Sequence, residues 1–201
     1  MLNVGLTGGL ATGKSVVARE LERLGCRIIR LDEIGHQLLE PGGEAFSAVV
    51  AAFGPGILDA HGAIDRRALG RRVFANPEEL ERLNALLHPL IRARAQALRE
   101  EFARTDPDGI LVTEAAILIE TGSYRDYDCL IVTVCRPEQQ LERALARGAW
   151  TRAEAEQRLA RQLPAAQKVR YADYVIDTSG TEESTREQTR RVWRLLRSRI
   201  P

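Results

Sequence analysis

Residues 2–15 read LNVGLTGGLATGKS, and the order of residue types in this stretch decides the fold. Leu2 to Thr7 is a short apolar run ending in glycines, which predicts a buried first strand. Gly8-Gly9-Leu10-Ala11-Thr12-Gly13-Lys14-Ser15 then fits the pattern G-x-x-x-x-G-K-[ST]. Lys14 to Leu24 has helical spacing, with Val17, Leu21 and Leu24 on one face and Gly25 placed to cap the end. In this composition a chance match is on the order of one in a thousand. With a strand before it and an amphipathic helix after it, the stretch reads as a phosphate-binding loop rather than a plain glycine-rich turn. Backbone N–H groups of such a loop turn inward as a nest for phosphate oxygens, and the helix adds the positive end of its dipole. Lys14 places a point charge on the β- and γ-phosphates, and the Ser15 hydroxyl is a ligand for Mg²⁺. Gly8, Gly9, Leu10, Ala11, Thr12, Gly13, Lys14, Ser15 and Val16 are thus the candidate nucleotide-binding set, with ATP and Mg²⁺ as the implied cofactors.

Working outward, Cys26 to Leu31 is a second apolar run ending at Asp32, so the chain opens β-α-β and the sheet is expected to be parallel. Strand patterns return at Ile110 to Thr113, ending at Glu114, at Leu130 to Cys135 and at Asp173 to Thr178. The expected fold is α/β, a three-layer P-loop core with a parallel sheet of about five strands. Residues from about 36 to 106 differ, with turn signals at Pro41-Gly42-Gly43, Gly54-Pro55-Gly56 and His61-Gly62 among helical patterns. Asn76-Pro77-Glu78-Glu79 predicts a helix start with Asn76 as cap and Glu79 reaching back, and Pro89 is expected to break or restart that helix. Glu138 to Arg147 is helical, and Thr151 with Glu154 predicts a capping box for a helix from Arg152 to about Gln162. The expected organisation is one globular unit: core 1–35, 107–137 and 167–201, with two helical excursions at 36–106 and 138–166.

The chain has 201 residues, 29 Lys and Arg against 28 Asp and Glu, and a formal net charge of +1. That balance gives no general field for nucleic acid or an anionic membrane, so positive charge must be concentrated locally at a phosphate site. Lys14 and Lys168 are the only lysines. Cys26, Cys129 and Cys135 are sparse and odd in number, which argues for a reducing compartment. No run reaches the roughly 20 apolar residues of a membrane span. The expectation is a soluble, cytoplasmic protein without nucleic-acid or membrane partners, a monomer or weak homo-oligomer, acting on a small molecule. The histidines His36, His61 and His88 show no metal-ligand spacing.

The loop alone fits GTPases, ATPase motors and small-molecule kinases. Asp32-Glu33-Ile34-Gly35 has the letters of a GTPase DxxG but comes too early, and no NKxD follows. The run before Glu114-Ala115 lacks the Asp-Glu ending of a motor ATPase. Beyond the loop, the order of pieces resembles the dephospho-coenzyme A kinase family along essentially the whole chain. These pieces are Gly5-Leu6-Thr7-Gly8-Gly9, Asp32 followed by Pro41-Gly42, Asp65-Arg66, Leu83 with His88-Pro89, Ile117-Leu118-Ile119-Glu120, and Ala172-Asp173-Tyr174-Val175-Ile176. Arg143 and Arg147, with Arg158 and Gln162, look like that family's lid. The sequence departs from the family pattern at Ala11-Thr12 (usually Gly-Ser), Arg30 and Glu114 (often Asp), Ala116 (often Pro) and Thr178 (often Asn). Ala11 is expected to be tolerated if its backbone stays in an ordinary region.

The resemblance implies transfer of the γ-phosphoryl group of ATP to the ribose 3′-hydroxyl of dephospho-CoA, the last step of coenzyme A biosynthesis. Other acceptors on the same scaffold, or nucleotide binding without catalysis, are the alternatives. Asp32, at a strand end beside the loop, is the candidate base for the attacking hydroxyl, and a helix cap is its other role. Glu114, at another strand end, either holds Mg²⁺ or its water, or is a structural carboxylate, and Glu120 shares that choice with less to favour it. Arg143 and Arg147 share a helix face and are candidates to neutralise the migrating phosphoryl group. By resemblance Arg66 and His88 would face the acceptor, and Thr178 to Gly180 would line the adenine.

Overall fold

A computed structural model of the chain describes residues 1–146, 148 and 150–200. The elements run β1 (Leu2–Gly8), α1 (Lys14–Arg23), β2 (Arg27–Arg30), α2 (Leu31–Leu38), α3 (Phe46–Phe53), α4 (Arg66–Ala75) and α5 (Pro77–Thr105). They continue with β3 (Ile110–Glu114), β4 (Cys129–Val134), α6 (Pro137–Ala146), α7 (Arg152–Ala160), α8 (Ala165–Lys168), β5 (Tyr174–Asp177) and α9 (Glu182–Arg197). The chain divides into two compact units, one formed by Met1–Arg30 and everything from Glu101 onward, the other by Leu31–Glu100.

The first unit is built on a five-stranded sheet of order β2-β3-β1-β4-β5, with every pairing parallel. Its central strand, β1, is buried along all seven residues because it has a neighbour on both sides and layers on both faces. Val4, Leu6, Val17, Leu21, Ile131 and Leu196 are fully buried in one cluster that packs α1 and α9 against the sheet. At the expected burial value of roughly 1.5–3 kcal/mol per large aliphatic side chain, this cluster is the main force holding β1 and α1 at fixed spacing. The chain between them therefore has to turn in a fixed place. Cys26 and Cys129 lie in the same cluster, and Cys135 is buried just beyond β4. Burial pushes the Cys26 thiol up to about 12 and the Cys129 thiol up to about 11, and raises Cys135, so all three stay protonated and unreactive.

The second unit is helical, with one isolated antiparallel bridge between Leu58 and Ile64. Two expectations need correcting there. Pro89 does not break its helix: α5 runs from Pro77 to Thr105 with Pro89 inside it. A proline removes one backbone hydrogen bond and crowds the preceding turn, a cost of about 3 kcal/mol. Leu83 and Leu87 before it and Ala95 after it are buried on the same helix, and tertiary packing of both halves outweighs that cost. Asn76 caps the helix as expected, its Oδ1 accepting from the Glu78 N–H at 3.0 Å. Glu79, however, turns to Arg72 in an ion pair at 2.6 Å instead of reaching back to the cap. The Thr151–Glu154 capping box of α7 forms in full.

Candidate nucleotide-binding site

The stretch between β1 and α1 is short and sharply turned. Ala11 has φ 57° and Gly13 has φ 79°, both left-handed, on either side of Thr12. Such bends turn successive amides inward and make an anion nest in front of a helix N-terminus. Gly13 is needed twice over, for its φ and because a Cβ there would meet the Thr178 side chain at 3.1 Å. Ala11 does not keep to the ordinary backbone region. It is the one described non-glycine residue with positive φ, a strain of roughly 1–2 kcal/mol for a residue with a Cβ. Its methyl offsets part of that strain: Ala11 is 4% exposed and clusters with Ala144 of α6 and Ala155 of α7.

Side chains fix the rest of the loop. Thr12 is buried, with its hydroxyl 2.9 Å from Gly9 O and 2.7 Å from the Thr133 hydroxyl on β4. Lys14 Nζ lies across the loop and donates to Gly8 O at 2.9 Å and Gly9 O at 3.0 Å. Ser15 and Val16 follow in the first turn of α1, where the Val16 N–H donates back to Gly13 O at 2.9 Å.

The strip after β5 closes one side. Thr178 is buried, and its hydroxyl lies 3.0 Å from Thr12 O and 3.1 Å from Val134 O. Arg143 of α6 forks onto it, Nη1 donating to the Thr178 hydroxyl at 3.1 Å and Nη2 to Thr178 O at 2.8 Å. The nearby Asp177 carboxyl is held below the usual range by the Ser179 hydroxyl and N–H, the latter at 2.8 Å. Gly180 follows in the exposed turn before α9. Lys14, Thr12, Arg143 and Thr178 are therefore brought together in the first unit. Arg147 lies outside the described residues.

Glu114 is the last residue of β3 and stands in register with Arg30 on β2, with Arg30 Nε 3.7 Å from its carboxylate. Two of the departures from the family pattern thus meet in an ion pair at the sheet's carboxyl end, while Arg30 also pairs with Glu22 at 2.9 Å. Among the described residues no group of three or more His, Cys, Asp or Glu side chains is arranged to hold a metal. What the site does offer Mg²⁺ is the chemistry of its donors: the Ser15 hydroxyl, one carboxylate at the strand end, and phosphate oxygens held by the loop. That set fits an ion that keeps several waters and most of its ligands from the nucleotide.

In the second unit Asp32 is exposed in the first turn of α2, two residues past the end of β2. His36, one turn on, feels both Asp32 and Arg66, and its pKa is lowered by burial first and by Arg66 second. Asp32 and Arg66 therefore share one electrostatic neighbourhood. Arg66 opens α4 next to the cap Asp65, whose carboxylate accepts from Arg67 N–H at 2.9 Å and Ala68 N–H at 3.1 Å. His88 lies within α5, half-buried, its pKa lowered by burial and by Arg92.

Gln140 and Lys168 carry no signal strong enough to be read from sequence, and Gln162 enters there only through the resemblance to a lid. Gln140 of α6 occupies the space over Gly9, where a Cβ would collide with its amide. Gln162 accepts the Leu10 N–H at 2.7 Å. Lys168, 1% exposed, pairs with Glu120 at 2.8 Å and donates to Ala116 O at 2.9 Å. The rarity of lysine in this chain was the one available hint for Lys168; the two glutamines offered only their positions in lid-like helices.

The family model described as Dephospho-CoA kinase matches residues 2–184. A curated relative named Dephospho-CoA kinase from Geobacter metallireducens is 46% identical over 194 residues, covering 96% of each chain. Among solved structures, TT1252 from Thermus thermophilus is similar with a TM-score of 0.79 at 27% identity, covering 96% of each chain. A dephospho-CoA kinase from Campylobacter jejuni is similar with a TM-score of 0.62 at 25% identity, again over 96% of each.

Proposed function

The chain belongs to the dephospho-CoA kinase family, and we infer from that membership and from the loop how its residues carry out the reaction. It is an ATP-dependent phosphotransferase acting on an alcohol group: the γ-phosphoryl group of ATP passes to the ribose 3′-hydroxyl of dephospho-CoA, giving CoA and ADP. The observation that carries the reading is the left-handed pair Ala11 and Gly13 feeding straight into α1, with Lys14 lying over the same loop.

Phosphoryl transfer is mostly positioning and charge stabilisation. The loop amides and the N-terminus of α1 hold the triphosphate, and Lys14, leaving its two loop carbonyls, meets the β- and γ-oxygens. Ser15 would hold Mg²⁺, which would supply positive charge to the triphosphate. Glu114 reaches the ion or its water only in competition with Arg30, which stands beside it. Arg143 is proposed to stabilise the migrating group, and Arg147 to assist it by the i, i+4 spacing. Thr178 and Gly180 are proposed to border the adenine; the Arg143 fork onto Thr178 supports a role of that strip in nucleotide sensing. Asp32 is proposed to orient the 3′-hydroxyl and take its proton, supported by its exposed place just past a sheet strand. Arg66, which shares its neighbourhood, and His88 are proposed to hold the acceptor. The residues 36–106 would then be the acceptor-binding insertion and 138–166 the lid.

No helix among the described residues is long and apolar enough to cross a membrane. A cytoplasmic enzyme, monomeric or weakly associated, agrees with three buried thiols and a net charge near zero. The test is ADP release from Mg·ATP with and without dephospho-CoA, with adenosine, AMP and shikimate as control acceptors. Stimulation by dephospho-CoA alone, with CoA as product, is the expected result. Equal stimulation by a control acceptor would overturn the acceptor assignment.

A further inference from the structure

Leu10 stands at the tip of the phosphate-binding loop, and its surroundings do more than the reaction above requires. Its N–H donates to Oε1 of Gln162 at 2.7 Å, across 152 residues of chain. Gln162 follows the end of α7, and its own N–H donates to Leu159 O at 3.1 Å, so it moves with that helix. The adjoining Ala11 methyl is buried against Ala144 of α6 and Ala155 of α7, both of them fully buried. One residue past Gln162, the Leu163 N–H donates to Glu120 Oε1 at 3.0 Å, and Glu120 is tied to the buried Lys168. The helical pair therefore holds the loop tip by an amide and by a methyl, and its exit is anchored beyond β3. The peptide that Gln162 holds leads directly into the left-handed bends at Ala11 and Gly13.

We propose that Gln162 is a positioning residue for phosphoryl transfer: its side-chain carbonyl accepts the Leu10 N–H and so locks the loop tip when α6 and α7 are docked on it. The proposal rests on the kinase reading above. Without that acceptor the nucleotide still binds through Lys14 and the α1 N-terminus. The tip is then looser, transfer to the acceptor slows, and water gains access to the γ-phosphorus, releasing ADP and inorganic phosphate. An acceptor removed from one amide corresponds to a loss on the order of tenfold in rate, which converts to about 1.4 kcal/mol, within the range of a single hydrogen bond.

Two variants of equal side-chain length separate the acceptor from mere packing. Gln162→Met keeps the bulk and removes the carbonyl; Gln162→Glu keeps an oxygen that accepts the N–H. In the full chain, CoA formation and phosphate release are measured together, with amide hydrogen exchange at Leu10 as a readout independent of turnover. The Met variant is expected to lose about tenfold in kcat, keep its KM for dephospho-CoA within about twofold, release several times more phosphate per CoA, and exchange Leu10 about tenfold faster. The Glu variant is expected to keep the wild-type phosphate-to-CoA ratio and Leu10 protection. A Met variant with wild-type ratio and protection overturns the proposal, as do Met and Glu variants impaired alike. If the wild type makes no CoA, the reaction assignment falls, and Leu10 exchange in the two variants still decides the role of Gln162.

Discussion

Replacing Lys168 by Met should destabilise the protein sharply, and replacing its partner at the same time should restore most of the loss. The Lys168 side chain is 1% exposed and its ammonium has two partners, Glu120 at 2.8 Å and Ala116 O at 2.9 Å. Glu120 is 17% exposed, and its Oε1 also accepts the Leu163 N–H at 3.0 Å, while Oε2 is buried with no hydrogen-bond partner among the described residues. In Lys168→Met the carboxylate stays buried without its counter-charge, a cost of about 3–5 kcal/mol. For a chain of this length the unfolding entropy is about 0.4 kcal/mol per degree, so Tm should fall by roughly 7–12 °C. Glu120→Gln keeps the bond to Leu163 but strands the ammonium, and should cost a similar amount. In the double variant neither charge remains, Met fills the lysine's volume, and stability should return to within about 1.5 kcal/mol of wild type. Urea unfolding of all four proteins gives the interaction energy, expected to exceed about 2 kcal/mol. If the two single losses simply add in the double variant, the pair is not one buried unit and the reasoning is refuted.

Lys14→Ala should lower kcat/KM by about 100- to 1000-fold with little change in Tm, as read by coupled ADP assay and thermal melting, because the lysine's loop carbonyls can turn to water. Asp32→Asn should keep the KM for ATP and lower kcat by about 10²- to 10⁴-fold; normal turnover would remove it as the base. At Ala11 three terms nearly cancel in the glycine variant: relief of roughly 1–2 kcal/mol of strain, loss of about 0.8 for the methyl, and about 0.5–1 for glycine's entropy. Ala11→Gly should therefore melt within a few degrees of wild type, whereas Ala11→Val, β-branched at φ 57°, should melt well below it. His36 and His88 both have pKa values lowered by burial, so the unfolded chain takes up their protons first as pH falls. Stability should then be flat above the ordinary histidine pKa near 6.5 and decline as pH drops below it toward the lowered folded values. Replacing both by Gln should flatten that decline in urea midpoints measured from pH 7.5 to 5.

The strand–loop–helix at residues 2–24 was legible because its signals are local: apolar run, glycine pattern and helical period all lie within one turn of where they act. The parallel sheet followed from β-α-β order and strand-end residues, and it forms with five strands. Pro89 misled because the cost of a proline is local while the burial of Leu83, Leu87 and Ala95 that outweighs it is not. The backbone of Ala11 was beyond sequence for the same reason, since φ 57° is sustained by Ala144 and Ala155, more than 130 positions away. Arg30 and Glu114 looked like two separate departures from a pattern, and parallel register across β2 and β3 makes them one ion pair. Gln162 and Lys168 act on Leu10 and Glu120 through single bonds that span 152 and 48 positions of the sequence. The phosphate chemistry could be read from the chain because a contiguous loop carries it; what grips that loop could not, because those partners meet through packing and not through spacing.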